Sequence, residues 1–140
     1  ISDQYIEKTD YLANPLSLLI FSKKLLNILL PLIKNDTQIF DAPLFKKEDK
    51  KSVKDFFIIH PFKEYECIDT EKTRHIHPDN DKNAFIPVGP LVLHTEQIPE
   101  NVHIFRAKEF FNAKIISQSF LKLFIDHKID GAAFVECKFV

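Results

Sequence analysis

His75 and His77 stand two residues apart in the run HIHPDNDKN, with Cys67 and several acidic residues upstream. Two imidazoles at that spacing can offer two ligands to a metal ion. A zinc centre needs three or four N, S or O donors converging on one tetrahedron. The CxxC and HExxH spacings that supply such donors within a short stretch do not occur here. The pair therefore reads as two solvated loop histidines, and no metal or cofactor is expected. Cys67 and Cys137 lie among apolar neighbours, where a free cysteine is usually a small buried hydrophobe. A nucleophilic thiol would need a base or a positive field beside it. His60, His94, His103 and His127 are available, but no spacing brings one of them to a thiol.

Glu64, Glu66, Asp69 and Glu71 crowd one stretch. Strand alternation puts Glu64 and Glu66 on one face and Asp69 and Glu71 on the other. Paired-carboxyl catalysis needs two such groups at a fixed distance across a cleft, and sequence does not supply a distance. The stretch reads as a solvated strand edge, whose charge discourages sheet-to-sheet association. Its functional alternative is an acidic patch for a basic protein partner. A GxSxG nucleophile elbow is absent, and two glycines cannot build a glycine-rich phosphate loop.

The 140-residue chain is 45% hydrophobic and carries 14 phenylalanines, which is the composition of a folded protein rather than a disordered tail. It is long enough for one domain with an adequate core, and residues 1–140 are read as that domain. Nineteen basic against twenty acidic residues give a net charge of −1. Such a balance makes no field for nucleic acid or an anionic membrane. Only Arg74 and Arg106 carry the guanidinium used for bidentate phosphate recognition. Two cysteines in a chain of this size read as free thiols of an intracellular protein. The longest apolar stretch, residues 16–33, contains Lys23, Lys24, Asn27 and Pro31, which makes it a poor membrane span. No secretory signal opens the chain. The expectation is a soluble cytoplasmic protein. Since no initiator Met is present, the chain can also be the trimmed or C-terminal part of a longer one.

Two local plans position these residues. In the first, residues 16–21 form an apolar strand, Ser22 caps a helix by accepting an orphan backbone N–H, and residues 37–41 form a second strand. Phe21 and Leu26 are placed as a hydrophobic staple, and Pro31 should end or bend the helix. In the second plan, residues 114–116 are a strand and Ser117 is the cap. Phe120, Leu121, Phe124 and Ile125 make the apolar stripe, Ile116 and Leu121 the staple, and residues 132–139 the closing strand. Gly131 serves there as the helix-ending or turn residue. An offset of 95 relates Ser22 to Ser117, Leu26 to Leu121, Leu29 to Phe124 and Asp36 to Gly131; this is either a duplicated unit or two instances of a common local solution.

Between them the chain is β-rich. Residues 53–60 read as a buried strand and 65–69 as its partner, joined through 62–64. Residues 75–83 are the best loop, 91–94 a short strand, 98–101 a turn, 102–106 a strand and 107–112 a brief helical or irregular link. Lys46–Lys51 is a solvated turn. Phe110 and Phe111, beside that link, are a candidate exposed anchor for a partner. The fold class is α+β: a largely antiparallel sheet covered by two main helices.

These residues also carry a family resemblance. Leu18-Leu19-Ile20-Phe21-Ser22-Lys23-Lys24-Leu25, Phe57-Ile58-Ile59-His60-Pro61, Cys67-Ile68-Asp69-Thr70-Glu71-Lys72-Thr73 and Lys114-Ile115-Ile116-Ser117 are followed by Ile129-Asp130-Gly131-Ala132-Ala133-Phe134-Val135. Together they resemble the pattern of immunity proteins of bacterial polymorphic-toxin systems, across about residues 16–137. Thr73 stands where that pattern has Ser. The resemblance implies a non-enzymatic cytoplasmic protein that binds and neutralises a cognate protein toxin. It transfers no functional residue, because Ser22, Ser117 and Gly131 read as structural. Exposure alone nominates Glu64, Glu66, His77, Asp79 and Asp81 as partner-binding. The rival readings are a small metal-assisted enzyme using the His75/His77 loop, and an adaptor domain of a longer protein.

Overall fold

A computed structural model describes residues 9–42, 55–110 and 112–140. The solvated turn expected at Lys46–Lys51 lies outside the described residues. β1 (Leu19–Ser22) runs into α1 (Lys23–Ile33) and then β2 (Thr37–Asp41). β3 (Phe56–Pro61) lies between β1 and β2, antiparallel to both, with Leu19 opposite Ile59 and Asp41 opposite Phe57. A second three-stranded sheet joins β4 (Glu64–Tyr65), β8 (Ile104–Ala107) and β9 (Lys114–Ile116), with β8 in the centre. Smaller pairs are β5 (His75–Ile76) with β6 (Ile86–Pro87), and β7 (Val92–Leu93) with β10 (Lys138–Phe139). α2 (Gln118–Asp126) follows β9. The class is α+β and most pairing is antiparallel; β4 with β8 and β7 with β10 are parallel, over two residues each.

β1 and β3 read as continuous apolar runs because they bury side chains on both faces of the first sheet. In the first sheet Leu19, Phe21 and Ile59 face a core shared with the helices, while Ile20 and Phe56 pack on the far side with Leu12 and Ala42. In the second sheet Ile104 and Ile116 turn to that same helical core, whereas Phe105, Ala107 and Ile115 pack into another core with Cys67, Leu93 and Val102. Period-2 alternation along β8 thus serves two cores from one strand. Arg106 ties the sheets together, its Nε donating to the Pro61 carbonyl at 2.9 Å. Beside it, Lys63 Nζ meets the buried Asp36 carboxylate at 2.8 Å. That hydrogen bond holds the Lys63 ammonium above its ordinary pKa.

Both serine caps are present. Ser22 Oγ accepts from Leu25 N at 3.1 Å and donates to Asp10 Oδ1 at 2.6 Å. Ser117 Oγ accepts from Phe120 N at 3.2 Å and lies 2.8 Å from His103 Nδ1. In each case the residue across the ladder supplies the second partner, since Ser22 N bonds to Asp10 O and Ser117 N to His103 O. Phe21 and Leu26 share the helical core as the staple requires.

α1 ends at Ile33, near Pro31 as expected, although Pro31 itself lies inside the last turn; only its bond to the carbonyl four residues back is lost, on an exposed face. Several expectations are corrected. Ile125 is 66% exposed rather than part of the buried stripe, because α2 buries just the narrow face of Phe120 and Phe124. α2 ends before Gly131. Lys128 holds φ 53°, with its N–H on the Ile125 carbonyl and the Ile129 N–H on that of Phe124, which is a Schellman ending. Gly131, at φ 94°, makes a separate turn. Residues 132–137 are irregular, and the closing strand is Lys138–Phe139 alone. The two units therefore share strand, serine cap and helix, but the second has no strand returning beside its first. Residues 65–69 do not pair with β3. Its neighbours β1 and β2 already occupy both edges, so the chain crosses to β8 instead.

The segment before β1 makes a tight excursion. The Leu12 N–H bonds to Ile20 O, and Tyr11 bridges Phe21. Inside the loop, Asn14 Oδ1 accepts from Leu16 N and Leu18 N, each at 3.1 Å. Its Nδ2 donates to the carbonyls of Leu18 (2.8 Å) and Leu12 (3.3 Å). Ser17 sits at φ 56°, and Lys114 Nζ donates to its carbonyl at 2.6 Å.

Candidate partner-binding surface

The nominated residues fall in two separate places. Glu64 lies on β4 opposite Arg106, and its Oε1 is 3.2 Å from that guanidinium, so one of the four acids of the stretch already has a cationic partner. Glu66 follows, exposed. His77, Asp79 and Asp81 belong to the β5–β6 hairpin and are exposed. Asp81 Oδ1 accepts from Asn83 N at 3.0 Å and holds the tip together. Among the described residues no hydrogen bond, ion pair or ring contact joins Glu64 or Glu66 to the hairpin group.

The histidine pair is ordered by its backbone. His75 Nδ1 donates to Thr73 O at 2.7 Å and His77 Nδ1 to Ala84 O at 2.6 Å, with ring centroids 5.0 Å apart. A carbonyl only accepts, so both Nδ1 atoms carry the proton. Among the described residues no third His, Cys, Asp or Glu completes a metal-binding group with them. His75 belongs to a strand rather than the expected loop.

Other polar links hold the β-rich half. Glu109 accepts with Oε1 from Cys67 N at 3.3 Å and with Oε2 from Ile68 N at 2.8 Å, standing in for a missing strand partner. Asp69 Oδ1 accepts from the N–H groups of Glu71 and Lys72, and its Oδ2 faces His94 Nε2 at 3.2 Å. The Lys72 N–H is the main reason that carboxyl titrates below its ordinary value. His94 Nδ1 lies 3.3 Å from Glu96 Oε1. With a carboxylate oxygen beside each nitrogen, neither is left open, whereas a general base keeps one nitrogen for its substrate. Desolvation by burial, with Glu109 nearby, pushes the Cys67 thiol up to about 12. Burial raises Cys137 as well. Both shifts keep the thiols protonated, the opposite of a nucleophile.

Sequence reasoning missed a concave apolar feature. A groove of about 1000 Å³ runs between the outer face of β8–β9 and the C-terminal segment, lined by Val102, Phe105, Ile115, Leu121, Phe134 and Phe139 among others. Phe110 lines it too and packs against the second core, so it is half-buried rather than an exposed anchor; Phe111 lies outside the described residues. Residues 132–139 read as a buried closing strand, which hid Phe134, Val135 and Phe139 as exposed apolar residues.

Among the described residues no helix is long and apolar enough to cross a membrane. No curated protein matches the chain. A family model does, over residues 4–139, and that span includes both serine-capped helices, the β-rich middle and the groove. The chain belongs to the immunity protein family Imm11.

Proposed function

We propose that this protein neutralises a cognate bacterial toxin by holding it in a stoichiometric protein–protein complex in the cytoplasm, with no catalysis of its own. The observation that carries this reading is the family match over nearly the whole chain. The protonated thiols and the doubly engaged His94 agree with a binding role. A standard interface buries about 1,600 Å² in total, and the exposed surface of 9450 Å² leaves ample room for one.

Affinity capture of the tagged protein from its native cells, followed by mass spectrometry, tests the reading. The expected result is one stoichiometric partner, encoded nearby, that arrests growth when expressed alone and no longer does so when this chain is co-expressed. Arrest that persists despite abundant folded chain would overturn the proposal.

A further inference from the structure

The loop at residues 13–18 is more rigidly built than the fold requires. A turn that merely returned the chain from Leu12 to Leu19 would carry polar residues at its tip and Gly or Asn where φ is positive. Here a serine takes φ 56°. One asparagine side chain makes four hydrogen bonds across the loop, two through each of its polar atoms. A lysine from β9, 97 residues away in sequence, donates to the strained residue's carbonyl. What this framework presents is apolar: Leu16 is 75% exposed and Leu18 37% exposed. Strain held by surrounding structure is a sign of function, and a loop ordered before binding loses little entropy on docking.

We infer that Leu16 is an anchor which this loop inserts into an apolar pocket of the cognate toxin. The partner surface is concave there, since the loop is convex. The assignment rests on the toxin-neutralising reading above and adds to it the surface used. Lys114 connects the loop to the groove, because it both lines the groove and holds Ser17. Through that one side chain the loop that carries the anchor is tied to the groove.

The test uses the full chain and the purified toxin domain encoded beside it. Leu16→Asp should weaken binding at least about thirtyfold, mainly through the off-rate, as a central anchor does. Its melting temperature should stay at the wild-type value, because the side chain is in solvent. Asn14→Ala should also raise the off-rate, by releasing the loop while leaving Leu16 in place. Ile125→Asp, a change at another well-exposed apolar residue, on α2, should bind as wild type. If the wild type binds and Leu16→Asp binds equally well, the anchor is refuted and the neutralising function stands. If Ile125→Asp is as damaging as Leu16→Asp, the loop has no special role and the inference falls. Failure of the wild type to bind that domain would remove the function and the anchor together.

Discussion

Ser22 and Ser117 cap their helices alike but at different depths. Ser22 is fully buried and also donates to Asp10, whereas Ser117 is partly exposed. Ser22→Ala should therefore cost about 2 kcal/mol, the upper end for a lost cap, and Ser117→Ala about 1 kcal/mol. Urea unfolding of both variants measures the difference. Cys67 makes a second prediction. Its thiol, held near 12 against an ordinary 9.0, should not react with a thiol reagent at pH 8 until the protein unfolds. The folded chain keeps this proton more tightly than the unfolded one. Its contribution to stability is thus complete below about pH 9 and fades as pH climbs toward 12. Asp69, shifted down, acts in the other direction: its contribution is present above 3.8 and disappears as pH falls below that value. At this scale the caps were legible because a serine before an apolar periodic run has a local meaning. The Glu109 clamp and the Asp69–His94–Glu96 grouping were not, since their members meet only after distant strands pair.

Elements were legible where they depend on neighbours in sequence. β2 and β9 fall at the expected residues, and α1 starts where its cap predicts. Strand partners were not. Nothing within residues 65–69 says that both edges of β3 are taken by β1 and β2. Gly131, offered as a helix-ending or turn residue, is the turn, and the end of α2 itself was not legible for a related reason. The chain turns left-handed at a lysine, and Ile129 tucks against the helical core to fix that turn. A residue with a Cβ at this position is strained by about 1 kcal/mol. Lys128→Gly should thus stabilise the protein by about that amount, read as a higher midpoint in thermal or urea unfolding. A null or negative result would mean that the lysine's aliphatic stem offsets the strain.

At the scale of the molecule, β8 and β9 supply side chains to two cores at once. Ile104 is fully buried on one side and Phe105 nearly so on the other. Ile104→Ala should cost about 2–5 kcal/mol, as large-to-small changes in a core do. Hydrogen exchange should show lost protection in the Cys67–Leu93 region as well as in the helices, although Ile104 belongs to the helical core. Loss confined to the helices would mean that the halves unfold separately. The family was legible from short motifs spread over most of the chain, and so was the α+β class. The surroundings of single surface residues were not: Glu64, nominated by its expected exposure, is paired with Arg106, and Leu16, read as the start of a strand, is 75% exposed, because exposure is a property of the assembled surface rather than of residue type.

The loop framed by Asn14 also has a chemical lifetime. Asparagine side chains in proteins age chiefly when the nitrogen of the next residue attacks their amide, closing a five-membered imide and expelling ammonia. The nitrogen after Asn14 belongs to Pro15, which has no hydrogen to lose. That route is closed at the one asparagine whose amide holds the loop, since deamidation there would replace two donor hydrogens with a carboxylate facing the Leu12 and Leu18 carbonyls. Asn80, Asn83 and Asn112 are exposed, and each is followed by a residue that can attack. After prolonged storage at mildly alkaline pH, peptide mapping should find aspartate and isoaspartate at those three positions before any at Asn14, so the loop should keep its shape while the rest of the surface slowly gains negative charge.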